Sequence, residues 1–194
     1  VNLDCYAKLV DQGQPEFSYD RTSEILDPKF QEVYQQALDK TLLPAKLMLA
    51  VGAQVMLLVN LDVANYLVNG SRGVVTAFDA GGLPVVRFCR GLNQSSMVVT
   101  MKRFTQDTTH SVGNSEDTTL FTITQVPLRL AYAITIHKSQ GLSMDRVLVD
   151  LHRVFAAGQV YVAMSRAKTA EGLFIRNICA KDIFADEDVL EFYS

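Results

Sequence analysis

The chain has 194 residues, 48% of them hydrophobic and 20% charged, with a net charge of −3. These proportions exclude a disordered polypeptide, and no apolar run approaches the ~20 residues of a bilayer-spanning helix. Cys5, Cys89 and Cys179 lie far apart without a CxxC pair, which argues against a metal centre or a disulfide frame and for reducing surroundings. The length fits one domain, or one domain carrying an inserted module. Val1-Asn2-Leu3-Asp4 has no basic leader and no initiator methionine, so a processed or excised piece is expected.

Charge is unevenly spread. Residues 1–51 hold five basic and eight acidic side chains, 52–124 hold five of each, and 182–194 hold none and five. Residues 125–181 hold eight basic against three acidic. A local basic segment can bind phosphates on an acidic chain, although a solvated charged face would look the same.

In chain order, residues 1–26 read as loop plus a short element. Over 29–43, Phe30, Val33, Tyr34, Ala37, Leu38 and Leu42 recur at helical spacing, and Asp27-Pro28 supplies a cap with proline at the first position. Short β-forming runs follow near 53–59, 73–78, 84–89, 97–104 and 119–125, with turn residues between them. They predict a small, strongly bent sheet or barrel. The polar stretch 105–118 is expected to be a mobile connection. After Pro127 the pattern becomes α/β. It predicts a helix over 129–139 stopping at Gly141, a strand at 146–151, a helix over 157–168, a strand at 172–176 and an acidic helix at 186–193. Such alternation argues for a largely parallel sheet.

Two polar clusters stand out in the basic segment: Thr135-Ile136-His137-Lys138-Ser139-Gln140-Gly141 and Ser165-Arg166-Ala167-Lys168. Hydroxyl, ammonium and backbone N–H groups contact phosphates, and glycine permits close backbone approach. A polar helix end with a glycine stop has the same composition. The chain contains no GxxxxGK[ST] phosphate loop and no acidic pair after a strand that would hold magnesium.

Ala133 to Gly141 resembles the fifth motif (AxxIHKSQG), and Gly158 to Ala167 the sixth (GQxYVALSRA), of superfamily 1 helicases that move 5′ to 3′. The match is best to the petite-integration-frequency (Pif-type) DNA helicases and more distant to the RecD-type enzymes. It extends upstream through 51–57 and 67–73 and covers roughly 46–194. The resemblance implies an α/β, RecA-like motor domain of the P-loop NTPase type, with a mainly parallel sheet. Residues 1–51 would form its first part, 52–124 an inserted β-barrel of Src-homology-3 type, and 125–194 the remainder.

The resemblance also implies roles. Arg166 would be the catalytic arginine that reaches across a domain cleft to the γ-phosphate of ATP, with Gln140 and Gly141 facing the nucleotide. Thr135, His137, Lys138 and Ser139 would contact the backbone of single-stranded DNA, with Lys168 near it. Consecutive helical positions cannot all face one ligand, so 135–139 implies a helix end or loop. Lys102-Arg103 is a further basic candidate. Tyr161 suits a core role more than base stacking, and His110 and His152 read as surface residues. ATP and magnesium would be held mainly by a first RecA-like domain preceding residue 1, so this chain alone is expected not to hydrolyse ATP. Expected partners are that domain and single-stranded, forked or G-quadruplex DNA, with no membrane. The expected setting is genome maintenance in nucleus or mitochondrion, including telomeres, replication, recombination and repair. A non-catalytic single-strand- or protein-binding module, or the helicase domain of a mobile element or virus, are the alternatives.

Overall fold

In a computed structural model of the chain the described residues are 1–89, 96–110 and 118–193. They form two compact units, Val1–Tyr132 and Ala133–Ser194. Compactness thus groups the expected segments 1–51 and 52–124 together and places a boundary a few residues beyond 124/125.

The first unit opens with helix α1 (Asn2–Val10), strand β1 (Glu16–Asp20) and strand β2 (Thr22–Ile25), where the sequence had pointed to loop plus a short element. The difference has a simple origin. Only Tyr19 is buried in β1 and nothing is fully buried in β2, so neither strand carries an apolar alternation. Next comes the capped helix. The Asp27 side chain accepts from the Lys29 amide at 3.0 Å, a 3₁₀ turn covers Pro28–Phe30, and α2 runs Gln31–Lys40. Its apolar stripe, with Tyr34, Ala37 and Leu38, packs on Leu43, Leu120, Phe121 and Ile123.

Strand β3 (Lys46–Ala50) pairs antiparallel with β1. Strands β4 (Gln54–Leu57), β5 (Arg72–Phe78), β6 (Pro84–Phe88) and β7 (Met97–Thr100) follow as expected. The run expected over 97–104 breaks at Met101, whose buried side chain and amide bond to Pro84 turn the chain. Strand β8 (Phe104–His110) then replaces the start of the expected loop, and residues 111–117 of that loop lie outside the described set. Strand β9 (Thr118–Gln125) pairs with β8 and β2 in a three-stranded sheet, not with the β4–β7 group.

The vacant edge of β4 is taken by β10 (Leu128–Leu130), giving a five-stranded antiparallel sheet in the order β10-β4-β5-β6-β7. This corrects the helix expected over 129–139. Leu128 is fully buried against Leu57, and pairing to an open sheet edge outweighs helical propensity. At Gly73 a Cβ would lie 2.8 Å from the Arg87 carbonyl oxygen, so only glycine lets β5 and β6 approach this closely. The core centres on Leu49, Val55, Leu57, Val86, Phe88 and Leu128. Gln125 is wholly buried within it. Its Nε2 donates to the carbonyls of Tyr19 (2.9 Å) and Pro44 (3.0 Å), and its Oε1 accepts from the Val126 amide (2.8 Å). Every polar atom of this amide is therefore satisfied.

The second unit holds strand β11 (Val147–Asp150), helix α3 (Gln159–Met164), strand β12 (Leu173–Arg176) and helix α4 (Glu187–Tyr193). β11 and β12 pair in parallel, as the alternating pattern predicted, whereas the ladders of the first unit are antiparallel. Val149, Leu151, Val160 and Ala163 form its core with Ile136, Val147 and Leu173 packed on them. The helix expected over 157–168 is shorter. It starts after left-handed Gly158 (φ +70°) and stops at Ser165. Beyond it, Ala167 bridges in parallel to Met144 and draws the chain out of the helix. Gly172, just before β12, packs on the loop that precedes β11, and a Cβ there would fall 2.0 Å from the Asp145 carbonyl oxygen.

Candidate functional site

The polar cluster at 135–141 is a turn. The Ser139 amide donates to the carbonyls of Thr135 (3.1 Å) and Ile136 (3.0 Å), and the Lys138 amide reaches Thr135 Oγ1 at 3.4 Å. One 3₁₀ turn, His137–Ser139, results. Ile136 anchors it in the core of the second unit. With ~120° per residue in such a turn, neighbouring side chains diverge. Thr135, His137, Lys138 and Gln140 are exposed, while Ser139 is 5% exposed and donates its hydroxyl to the Ile136 carbonyl at 2.6 Å. Four of the five polar side chains thus share the surface of one turn, and that of Ser139 faces inward. Gly141 follows at φ +78° with open space where a side chain would stand. It ends the turn in a conformation that L residues avoid and leaves its backbone uncovered.

Arg166 lies just past α3, and its guanidinium is bonded in three directions. Nε donates to the Val162 carbonyl (2.9 Å), Nη1 to the Leu142 carbonyl (3.2 Å) and Nη2 to Ser165 Oγ (2.9 Å). The Ser165 hydroxyl donates in turn to the Val162 carbonyl at 3.1 Å. Leu142 itself donates its amide to the Ser139 carbonyl. The two polar clusters of the sequence therefore meet, with Arg166 held one residue beyond Gly141.

Lys168 Nζ pairs with Asp145 at 2.8 Å. Both side chains are more than a third exposed, so water screens most of that attraction. Asp150, at the end of β11, accepts from Asn177 Nδ2 (2.8 Å) and twice from Arg176. The Asn177 and Arg176 hydrogen bonds, in that order, hold its carboxyl below the usual range. Arg103, the other basic candidate, bonds the Asp20 carbonyl at 3.0 Å. His152 is exposed, and the His110 side chain lies outside the described set. Among the described residues no cluster of three or more His, Cys, Asp or Glu side chains could hold a metal ion, and no helix is long and apolar enough to cross a membrane.

Tyr161 departs from expectation. It is 76% exposed, because Gln159, Val160 and Ala163 supply the buried face of α3. Two contributions are visible only in the structure. Ser165 belongs to the second polar cluster, but the bond its hydroxyl accepts from the Arg166 guanidinium is not legible in the sequence. Phe155, which no sequence pattern singled out, is 73% exposed with its ring centroid 6.0 Å from that of His137.

Residues 34–78 match the family model for the 2B domain of the DNA helicase Pif1, and residues 93–186 match a second model described simply as a helicase. The ATP-dependent DNA helicase PIF1 of Mus musculus is 45% identical over 150 residues, which is 76% of this chain and 22% of that protein. The crystal structure of Pif1 helicase from Candida albicans covers the whole chain at 31% identity and TM-score 0.80. A Bacteroides Pif1 helicase in complex with ADP-AlF3 and single-stranded DNA also covers all of it, at 31% identity and TM-score 0.65. The chain spans about a fifth of the curated relative and under half of either solved one.

Proposed function

The chain belongs to the Pif-type DNA helicases, with the α/β, RecA-like fold of their motor domains, and on that premise we propose that it is the C-terminal motor half of an ATP-dependent 5′-to-3′ DNA helicase. The observation that carries this reading is the bond from Arg166 to Leu142, which joins the sixth-motif arginine to the fifth-motif turn. In this reading 1–51 and 125–194 form the second motor domain. Residues 52–124 form its insert, of Src-homology-3 type, around strands β4 to β7.

The residues divide the work. The exposed face of the turn, Thr135, His137 and Lys138, lies along the phosphates of a single strand. Contacts of that kind set register and carry no base information. His137 donates one hydrogen bond when neutral and adds charge when protonated. Ser139 acts from inside by fixing the turn, and Lys168 exchanges Asp145 for a phosphate. On the other side, Gly141 and Gln140 face the nucleotide. The planar fork of Arg166 meets charge building on its γ-phosphate, where a guanidinium placed from across a cleft lowers the barrier. Bound ATP with magnesium supplies the phosphoryl group whose loss drives the motor. In this reading the phosphate loop and metal ligands belong to a first motor domain, and this chain alone does not turn over ATP. The proposal extends to single-stranded, forked and G-quadruplex DNA, and to nuclear or mitochondrial genome maintenance.

The test is an anisotropy titration of this chain with labelled oligo-dT across salt. With ~2–4 phosphates contacted, log K falls against log salt with a slope of about −0.7 per contact. Affinity that ignores salt would refute the backbone role. Adding a first motor domain, in cis or in trans, then yields DNA-stimulated ATP turnover, and its failure to do so would refute the motor role.

A further inference from the structure

Building on the reading that the 135–139 turn lies along a DNA backbone, we propose that Phe155 is a stacking platform for one unpaired nucleobase of the strand that His137 holds. Phenylalanine is ordinarily buried. Here the ring stands 73% exposed at the surface of the second unit. It is tilted 34° to the His137 ring at a centroid distance of 6.0 Å. Its root is not loose. The largely buried Gln159 side chain accepts from the amides of both Phe155 (3.0 Å) and Ala156 (3.3 Å), pinning the loop to the first turn of α3. An exposed apolar ring on a fixed backbone loses little freedom when a ligand covers it.

The occupant follows from the neighbours. His137 and exposed Lys138 lie in the segment with eight basic and three acidic residues, which suits a polyanion rather than an apolar protein face. A nucleotide presents both a phosphate and an uncharged aromatic face, matching an imidazole beside a phenyl ring. Duplex bases have their faces covered, so the match is to a single strand. Phenylalanine offers no hydrogen bond, so the subsite tolerates any base.

The chain contains no tryptophan. Phe155→Trp therefore introduces a single fluorophore at the proposed contact, and Tyr161→Trp one at an exposed aromatic with no such neighbour. On adding oligo-dT, Phe155→Trp fluorescence is expected to be quenched with the midpoint seen by anisotropy, and that of Tyr161→Trp to stay level. Phe155→Ala is expected to lose roughly 5- to 150-fold in affinity at every salt concentration, the range for one stacked base, with the salt slope unchanged. An abasic oligonucleotide of equal charge is expected to bind wild type and Phe155→Ala alike. The proposal is overturned if Phe155→Ala binds oligo-dT as wild type does, or if Phe155→Trp is not quenched. It is also overturned if Phe155→Ala only converts a dimer to a monomer in sedimentation. Wild type that binds abasic and oligo-dT strands equally keeps the backbone reading and sinks this one. Wild type that binds neither sinks both.

Discussion

The guanidinium of Arg166 donates to the carbonyl of Leu142, twenty-four positions earlier, at 3.2 Å. Its other two bonds go to Val162 and Ser165, so three nitrogens point in three directions, which a single ammonium cannot reproduce. In the intact protein, Arg166→Ala and Arg166→Lys are both expected to lower DNA-stimulated ATP turnover by about 10³–10⁵ with little change in nucleotide affinity. Ser165→Ala removes one hydrogen bond to the fork, worth about 0.5–1.5 kcal/mol, so turnover falls roughly 2- to 12-fold at unchanged KM. Ser165→Thr restores it. Steady-state kinetics with melting of each variant decides the matter. A variant that loses only melting temperature makes the arginine a structural tie.

His137 and Ser139 are two residues apart but differ in what their loss does. His137→Ala removes an exposed donor and is expected to weaken oligo-dT binding with melting unchanged. Ser139→Ala removes one of the two hydrogen bonds that the Ile136 carbonyl accepts from residue 139, at a cost of about 0.5–1.5 kcal/mol, and weakens DNA binding only through a softened turn. Melting and anisotropy on both variants separate the two. Equal melting with equal loss of DNA affinity would place the Ser139 hydroxyl on the phosphate instead.

Two glycines in the second unit predict unequal penalties for unequal reasons. Gly172→Ala forces a methyl to within 2.0 Å of a backbone carbonyl, so the chain must move, at a cost of about 1–3 kcal/mol or more. Gly141→Ala meets no neighbour within 4 Å and pays only the left-handed conformation, about 1–2 kcal/mol. Chemical denaturation measures both. Equal small losses would mean that the loop before β12 yields freely.

Acid should act on the tie between β11 and β12. The Asp150 carboxyl is held below its ordinary value of 3.8 by Asn177 and Arg176. A carboxylate lowered in this way stabilises the folded state above its unfolded pKa and loses that contribution as pH falls through the folded one. The melting difference between wild type and Asp150→Asn is therefore expected to hold at neutral pH and to shrink below about pH 3.8. A difference that persists in strong acid would assign the effect to packing.

The sequence by itself determined what depends on neighbours along the chain. The Asp27 cap with Pro28 and the stripe of α2 were legible because capping and helical spacing are local. Strands β4 to β6, β11 and β12 were legible as short apolar runs between turn residues, and the two polar clusters with the family they resemble were legible as motifs. Tertiary structure decided what depends on a partner distant in sequence. Residues 128–130 are a strand because β4 had an open edge, and β9 joined β2 and β8 because its partners lay there. Tyr161 is outside because Val160 and Ala163 claim the core face of α3, and each helical residue turns ~100° from the last. The bond from Arg166 to Leu142 and the placing of Phe155 beside His137 join segments that no local pattern connects. Hydrogen-bond edges and buried faces are filled by whichever segment the whole chain brings to them, and the identity of that segment is a property of the packed chain rather than of any stretch of it.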